Sequence, residues 1–156
     1  MIKLTRIDDR LVHGQVAFTW TPALGIDCLL VANDKAARDE FLKMTLGLAK
    51  PAGVKLQLLT IKDSIAFLND AKSKNSKILV LIDSVKDAHA LTLAVPDIKS
   101  VNFGGIRTRQ GAKLVSKAIA LTEEDITLAR ELLQKGIELE VRQVPTDKST
   151  LLENLL

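Results

Sequence analysis

Ile78-Leu79-Val80-Leu81-Ile82 is an unbroken run of five apolar residues, three of them β-branched. Residues with β-branched side chains favour strands. A strand that is apolar at every position is typical of a parallel sheet covered by helices on both faces, because both faces of the strand are then buried. The run therefore predicts the central strand of such a sheet.

On both sides of this run, further apolar stretches alternate with segments of helical periodicity. This alternation is typical of an α/β protein whose sheet is mostly parallel. Connections rich in Pro, Gly, Asn or Ser separate the two kinds of segment. The other predicted strands of this part are residues 2–5, 28–32, 54–61 and 100–103, and the predicted helices are residues 15–20, 35–49, 62–71 and 85–93.

The last third of the chain is organised differently. Residues 115–121 predict a strand that is reached from the preceding one without a crossover helix, so we expect it to be antiparallel. Thr122 supplies a hydroxyl cap for a helix with an acidic first turn that ends at Gly136. Residues 137–144 predict a final strand, and residues 151–156 predict a short docked helix.

Together these elements predict one α/β domain covering residues 1–156. Its sheet is expected to be open, twisted and mostly parallel, with about seven strands and helices on both faces. One strand near the C-terminal end is expected to be antiparallel.

The composition fits an ordinary globular protein, with 47% hydrophobic and 26% charged residues. The formal net charge of +3 and the isoelectric point of about 9.0 mildly favour acidic or phosphorylated partners. Aromatic residues make up 3% of the chain and tyrosine is absent, so stacking platforms for single-stranded nucleic acid are not expected. We therefore expect no nucleic-acid partner.

Cys28 is the only cysteine, which excludes an internal disulfide and a cysteine-rich metal cluster. It begins an apolar run and is predicted to be a buried, unreactive thiol. The chain starts without the apolar core of a signal peptide, and no apolar stretch approaches the ~20 residues that span a bilayer. These features predict a cytoplasmic protein that would work at a membrane only by docking on another component.

Arg6-Ile7-Asp8-Asp9-Arg10-Leu11-Val12-His13-Gly14-Gln15-Val16 connects the first predicted strand to the first predicted helix. In an open α/β sheet such a connection lies at the carboxyl edge, where ligands bind. At the start of a helix, His13 can hold an anion with free backbone N–H groups, and its imidazole is a competent nucleophile. The stretch therefore predicts a histidine that carries a phosphoryl group. The alternative is a solvated side chain or a structural cap.

The neighbours of this histidine suit the same chemistry. Arg10 offers a guanidinium fork for phosphate oxygens, and Gly14 lets the backbone approach a ligand. The N–H groups of Gly14 and Gln15 are candidates for phosphate binding. Asp8 or Asp9 can hydrogen-bond an imidazole nitrogen or the arginine, and we place Asp9 in the predicted catalytic group with the histidine and the arginine.

Other positions carry weaker functional signals. Ser84 follows the central strand, so its hydroxyl can reach the edge that carries His13 and bind phosphate, although a helix N-cap explains it equally well. Gly104 and Gly105 end a predicted strand and can line the pocket, but a turn also explains them. His89 has no metal-ligand spacing to other residues and is predicted to be structural or exposed.

Arginines are expected to attract a docking partner. Arg6, Arg107 and Arg109 are predicted to lie with Arg10 near one edge of the sheet, where their charge would favour an acidic, phosphorylated protein. A solvated loop is the alternative for Arg107 and Arg109.

Four stretches together resemble the IIB component of the mannose/fructose/sorbose family of the bacterial phosphoenolpyruvate-dependent sugar phosphotransferase system. They occur from end to end of the chain, in the order and spacing of that family. The first is highly specific, whereas the Gly-Gly stretch alone is a weak signal. The stretches are residues 6–16, Val31-Ala32-Asn33-Asp34, Asn102-Phe103-Gly104-Gly105 and Arg142-Gln143-Val144-Pro145-Thr146-Asp147-Lys148.

The resemblance implies a phosphohistidine–sugar phosphotransferase that needs neither a cofactor nor a metal. The family's histidine falls on His13 and its arginine on Arg10. That histidine attacks through Nδ1, receives its phosphoryl group from a phosphorylated IIA protein or domain, and passes it to a sugar. Relatives often carry Arg before the tryptophan, where this chain has Thr19. This departure weakens the implied docking at that position.

The resemblance also implies the remaining partners and the location. The sugar would belong to the mannose, fructose, sorbose or N-acetyl-hexosamine class and would be held by IIC and IID membrane components. The chain would be cytoplasmic and peripherally associated with that transporter.

Two other classes of protein are the alternatives. A non-catalytic regulatory or binding module on the same fold would not need His13. A nucleotide-binding α/β protein is disfavoured, because neither G-x-G-x-x-G nor G-x-x-x-x-G-K-[ST] follows a predicted strand.

Overall fold

A seven-stranded sheet forms the middle of the molecule in this computed structural model, which describes all 156 residues. A two-stranded hairpin accompanies it. The main sheet contains β1 (Ile2–Asp8), β2 (Cys28–Ala32), β3 (Lys55–Leu59), β4 (Ile78–Ile82), β5 (Ser100–Gly105), β8 (Glu138–Val141) and β9 (Thr150–Leu151), and the hairpin contains β6 (Lys113–Ser116) and β7 (Ile119–Leu121).

The strand order β3-β2-β4-β1-β5-β8-β9 places β4 inside the sheet, with parallel partners on both sides. All residues of β4 are fully buried. Ile78, Val80 and Ile82 belong to the larger apolar cluster on one face of the sheet, and Leu79 and Leu81 belong to the smaller cluster on the other face. The predicted central strand, the α/β class and the mostly parallel sheet are confirmed.

Helices cover both faces of this sheet, as predicted. Their bounds are a π-helical segment at Val16–Trp20, α1 (Thr21–Ala23), α2 (Asp34–Arg38), α3 (Glu40–Ala49), α4 (Ile61–Asn69), α5 (Val85–Ala94) and α6 (Glu123–Gln134), with 3-10 turns at Ala71–Asn75 and Leu152–Leu155. Helices α4, α5 and α6 pack on the larger cluster, and the π-helical segment, α2 and α3 pack on the smaller one. No helix combines the length and the apolar character that crossing a membrane requires.

The helix expected over residues 35–49 is instead two helices that meet at Asp39. The backbone of Asp39 is extended, and its carboxylate accepts a hydrogen bond from the N–H of Leu42 at 3.0 Å. Asp39 therefore caps α3 rather than continuing α2, which is the position that aspartate prefers. The helical periodicity on both sides of Asp39 concealed this break.

The single strand expected at residues 115–121 is wrong. The chain turns at Lys117 and Ala118, so β6 and β7 pair antiparallel with each other outside the main sheet. The N–H of Ile106 donates to the carbonyl of Ala118, and the N–H of Ala120 donates to that of Ile106, which anchors the hairpin on the end of β5. The antiparallel pair of the main sheet is β8 with β9.

The C-terminal elements otherwise follow the expectation. Thr122 and Asp125 form a capping box at the start of α6, and Gly136 has the positive φ of a helix end at +82°. The predicted strand at residues 137–144 is shorter than expected. The tail docks through Leu152, which is fully buried in the 3-10 turn after β9.

Cys28 begins β2 and is almost fully buried, as predicted. Desolvation by its apolar surroundings raises the pKa of the thiol. A raised pKa keeps the thiol protonated at neutral pH, so Cys28 acts as a small apolar side chain.

Candidate functional site

The loop after β1 is held against the sheet by its own apolar residues. Leu11 has a left-handed backbone with φ of +58°, a conformation that costs a non-glycine residue about 1–2 kcal/mol. Its N–H donates to the carbonyl of Asp8 at 2.9 Å, and the side chains of Leu11 and Val12 are buried in the smaller apolar cluster. This anchoring presents His13 at the start of the following helical run, where its carbonyl accepts from the N–H of Ala17.

His13 is paired with the carboxylate of Asp8, whose Oδ2 lies 2.7 Å from the imidazole Nε2. A carboxylate accepts hydrogen bonds, so neutral His13 carries its proton on Nε2. Nδ1 has no hydrogen-bond partner in the structure and keeps its lone pair. The side chain is 15% exposed. The arrangement favours one tautomer and leaves the other nitrogen without a hydrogen-bond partner.

Asp8, and not Asp9, orients this histidine, which corrects the expectation for Asp9. The carboxylate of Asp9 faces the loop after β5 and accepts from the N–H of Arg107 at 2.8 Å and from its Nε at 3.1 Å. The reason is the period of a strand. Asp8 is the last residue of β1 and is buried with Arg6 on the side of the sheet that carries Trp20, whereas Asp9 begins the turn.

The Asp8 carboxylate is fully buried and uses both oxygens. Oδ1 accepts from the N–H of Arg10 at 3.1 Å, and Oδ2 accepts from Nη2 of Arg6 at 3.0 Å as well as facing His13. Burial disfavours the ionised carboxylate, but the hydrogen bond with His13 and the charge of Arg6 outweigh it, so the pKa of Asp8 lies below its ordinary value. Asp8 is therefore ionised at neutral pH.

Arg6 is fully buried, so its predicted role in docking a partner is wrong. Its guanidinium lies over the ring of Trp20, 5.4 Å from the ring centre, and pairs with Asp8. Gly104 makes room for it, since a Cβ at that position would lie 2.0 Å from Cζ of Arg6. Gly104 is therefore required by the packing of Arg6, whereas Gly105 is not. Both glycines lie in β5 rather than in a turn, and both line the cleft beside the loop, as predicted.

Arg10 lies on the exposed side of the same carboxylate, with 45% of its side chain exposed. Its Nε is 3.5 Å from Oδ1 of Asp8, and its Nη2 donates to Oε1 of Gln15 at 3.4 Å. The N–H groups of Gly14 and Gln15 make no hydrogen bonds within the protein. The structure therefore brings the predicted Arg10, Gly14 and Gln15 together beside His13.

Ser84 is a helix N-cap, which was the alternative to phosphate binding at this position. Its hydroxyl oxygen accepts from the N–H of Asp87 at 3.1 Å and caps α5. No hydrogen bond joins Ser84 to the His13 loop. His89 is structural, as predicted, because its Nε2 lies 2.8 Å from Glu131 across the α5–α6 contact.

Arg107 and Arg109 have different surroundings. Arg107 is 75% exposed and lines a cleft of about 550 Å³ that also contains Asp9, Arg10 and Lys117. Arg109 is not part of that cleft lining, and its guanidinium pairs with Asp125 at the start of α6. Of these two arginines, only Arg107 lines the cleft beside the loop that carries His13.

Sequence reasoning missed three buried residues around Arg6. Trp20 donates from Nε1 to the carbonyl of Gln143 at 2.9 Å, and Asn102 accepts from Arg6. Glu140 in turn accepts from Asn102. The available signals were the single tryptophan and polar residues inside otherwise apolar strands. No group of three or more His, Cys, Asp or Glu side chains has the spacing of metal ligands.

Comparison with known proteins identifies the family. The model of the PTS system sorbose subfamily IIB component matches residues 2–156. The chain belongs to this family. A probable phosphotransferase enzyme IIB component of Streptococcus pyogenes serotype M6 is 41% identical over 138 residues, 85% of each chain.

Two sorbose-type relatives extend the match. The sorbose-specific EIIB component of Lacticaseibacillus casei is 33% identical over 150 residues, covering 96% of this chain and 92% of that one. The crystal structure of the IIB domain of the sorbose permease from Klebsiella pneumoniae superposes with a TM-score of 0.93 at 30% identity, covering 99% of this chain and 95% of that one. The protein is thus a IIB component of a sorbose-type phosphotransferase system, and the expected family is confirmed.

We expect Asp8→Asn to lower the free energy of unfolding by about 3 kcal/mol at pH 7, because it leaves the buried charge of Arg6 uncompensated. The low pKa of Asp8 in the folded protein means that its contribution is present above the ordinary pKa of about 3.9. That contribution is lost as the pH falls through the folded value, so the difference between the two proteins should shrink in acid. Urea unfolding from pH 7 to pH 3 measures it.

Asp9→Asn is the matched control, since its partner Arg107 is largely exposed and such pairs contribute little. Equal losses of stability in the two variants, or a difference for Asp8→Asn that does not change with pH, would contradict the assignment.

Proposed function

We propose that Nδ1 of His13 accepts a phosphoryl group from a phosphohistidine of a IIA partner and donates it to a sugar hydroxyl. The observation that carries this proposal is the 2.7 Å contact between Nε2 of His13 and Asp8, which leaves Nδ1 as the nucleophile. The family membership supports the same assignment. Residues 1–156 would then act as a single IIB domain.

The first transfer needs no net proton movement. The lone pair of Nδ1 forms a bond to phosphorus while the bond between phosphorus and the donor imidazole breaks, and that donor ring leaves with the electron pair. The His13 ring retains the proton on Nε2 and becomes cationic as the new bond forms. The ionised Asp8 beside Nε2 stabilises this charge. In the second transfer the sugar hydroxyl oxygen bonds to phosphorus while the bond between phosphorus and Nδ1 breaks. The electron pair of that bond returns to Nδ1, and the hydroxyl proton passes to water.

The transition state of phosphoryl transfer is loose and places negative charge on the three peripheral oxygens. Arg10 is a half-exposed cation on the same loop as His13, and its fork can hold two of those oxygens. The N–H groups of Gly14 and Gln15 can hold the phosphoryl group after transfer. Because Asp8 binds both the N–H of Arg10 and the ring of His13, one carboxylate sets the position of nucleophile and cation together.

The exposed surface around His13 suits a protein partner. Arg10, Arg107 and Lys117 give the adjacent cleft a positive excess that favours a phosphorylated IIA protein. Phe18, on the helical run that begins at His13, is 76% exposed and offers an apolar contact. We place the protein in the cytoplasm, docked on IIC and IID components that hold a hexose of the mannose, fructose, sorbose or N-acetyl-hexosamine class.

Replacing His13 by Ala should abolish phosphorylation while the fold is kept, because the side chain contributes no apolar packing to the core. The test incubates the protein with phosphoenolpyruvate, the general carrier proteins and a IIA protein, and follows acid-labile, alkali-stable phosphate. His89→Ala is the matched control. It should be labelled normally, because His89 pairs with Glu131 and takes no part in the proposed site. A wild-type protein that takes no label would favour a non-catalytic binding module instead.

Arg10→Lys should slow transfer strongly although the charge is kept. Lysine loses the fork, and one lost charge-assisted bond in the transition state costs about 1.5–3 kcal/mol, roughly a 10- to 100-fold lower rate. Rapid-quench measurement at saturating donor isolates the chemical step. A wild-type rate in this variant would assign Arg10 a structural role only.

Association with the IIA partner should slow as salt rises, because exposed charges are screened beyond ~8 Å at physiological ionic strength. Arg107→Ala should reduce this salt sensitivity, whereas Arg109→Ala should change it less because Arg109 lies outside the cleft and is paired with Asp125. Stopped-flow association across a salt series compares the three proteins. If the association rates of the wild type and Arg107→Ala depend on salt to the same extent, Arg107 is not part of the docking surface.

A further inference from the structure

The Asp8–His13 contact is one end of a longer chain of buried hydrogen bonds. The Oδ2 atom of Asp8 that faces His13 also accepts from Nη2 of Arg6 at 3.0 Å. The other amino group of Arg6, Nη1, donates to Oδ1 of Asn102 at 2.8 Å and to the carbonyl of Arg142 at 3.1 Å. The position of the Asp8 carboxylate therefore depends on where Asn102 and the backbone of residue 142 hold the guanidinium.

The chain continues from Asn102 to the C-terminal strands. Nδ2 of Asn102 donates to Oε1 of Glu140 at 2.9 Å, and Nη2 of Arg142 donates to the same oxygen at 3.1 Å. Oγ of Ser149, just before β9, donates to the other oxygen of Glu140 at 2.8 Å. The path thus links His13 to β1, β5, β8 and the residue before β9.

The two neighbours of Asn102 restrict which side chains are suitable at this position. The guanidinium of Arg6 can only donate, and the carboxylate of Glu140 can only accept. The residue between them must therefore accept on one side and donate on the other, which an asparagine amide does. An aspartate would face Glu140 with a second carboxylate, and an apolar residue would leave both charged partners short of a bond.

Packing alone does not require this chain. Arg6 and Asp8 are fully buried, and Asn102 and Glu140 almost fully. Replacing buried ionic groups by apolar residues is often neutral or stabilising. A network that is costly to bury and pairs most of its polar atoms, with Nε of Arg6 and Nε of Arg142 left unpaired, serves to fix geometry. His13 is at the end of this network that is partly exposed, and it is the only group there with a reactive atom that makes no hydrogen bond.

We propose that Asn102 and Glu140 are positioning residues that hold Arg6, and through it the Asp8 carboxylate, in the orientation that keeps the His13 proton on Nε2. The purpose of this orientation rests on the proposed phosphoryl transfer, whereas the orientation itself can be measured without any partner. Strand β8, in the C-terminal part of the chain, is then part of the site, although it lies far from His13 in sequence.

The test compares Asn102→Ala and Glu140→Gln with Val101→Ala. Val101 is the neighbour of Asn102 in β5, is fully buried and belongs to the larger apolar cluster on the opposite face, so it reports simple loss of packing. The first readout is the tautomer of His13, taken from the ¹⁵N shifts of its imidazole. The second is the transfer rate at saturating phosphorylated IIA, and thermal unfolding measures the stability of each variant.

In the wild type the neutral ring should be almost entirely the Nε2–H form. Asn102→Ala should give a mixture of tautomers and a transfer rate lower by roughly 10- to 100-fold, the effect of a misplaced reacting group. Glu140→Gln keeps the shape and removes the charge, so it should shift both readouts in the same direction but less. Val101→Ala should lower the unfolding temperature and leave tautomer and rate unchanged.

Folded variants at positions 102 and 140 with the wild-type tautomer and rate would overturn the proposal. If Asn102→Ala does not fold, the isosteric Glu140→Gln decides alone. A tautomer that shifts in the variants while the wild type takes no phosphate would refute the proposed function and leave the positioning intact. Wild-type transfer with unshifted tautomers would refute the positioning only.

Discussion

The buried ion pair between Arg6 and Asp8 is the constraint on which the site depends. Both side chains are fully buried, and removing two charges from water is costly unless hydrogen bonds compensate for it. Every side-chain nitrogen and oxygen of the pair except Nε of Arg6 has a partner. Asp8 therefore also binds His13 and the N–H of Arg10, and Arg6 also binds Asn102. Because strand residues two apart share a face, the pair lies on the side of β1 that carries Trp20.

The same constraint explains why the stretch at residues 6–16 has two chemical sides. Arg6 and Asp8 are inside and exchange hydrogen bonds at 2.7–3.1 Å with the rest of the protein. Arg10 and Asp9 are at the surface, and the contacts of the Arg10 side chain are longer, at 3.4 and 3.5 Å. His13, the proposed nucleophile, is thus held by buried groups, whereas the Arg10 side chain makes only longer contacts at the surface.

Local sequence signals predicted the fold better than they predicted the site. The apolar run of β4 and the alternation of strands and helices depend on residues close in sequence, so the central strand and the layers were predicted correctly. The hairpin at Lys117 and Ala118 was missed because a two-residue turn inside an apolar stretch leaves no Gly or Pro signal. The burial of Arg6 could not be predicted, because its partners Asn102 and the carbonyl of Arg142 are 96 and 136 residues away in the chain.

A histidine that accepts a phosphoryl group from one protein and donates it to a sugar held by another, as proposed, must be reachable from outside and yet keep one reactive nitrogen. Exposure alone would let the ring rotate and change tautomer, and full burial would exclude the partners. The structure meets both demands because His13 lies on a partly exposed loop, while the charged residues Arg6 and Asp8 behind it are buried. Leu11 and Val12 anchor the loop to the apolar core, and Asp8 fixes the ring. Nδ1 makes no hydrogen bond within the protein, so a proposed partner can approach it without disturbing the bond between Nε2 and Asp8.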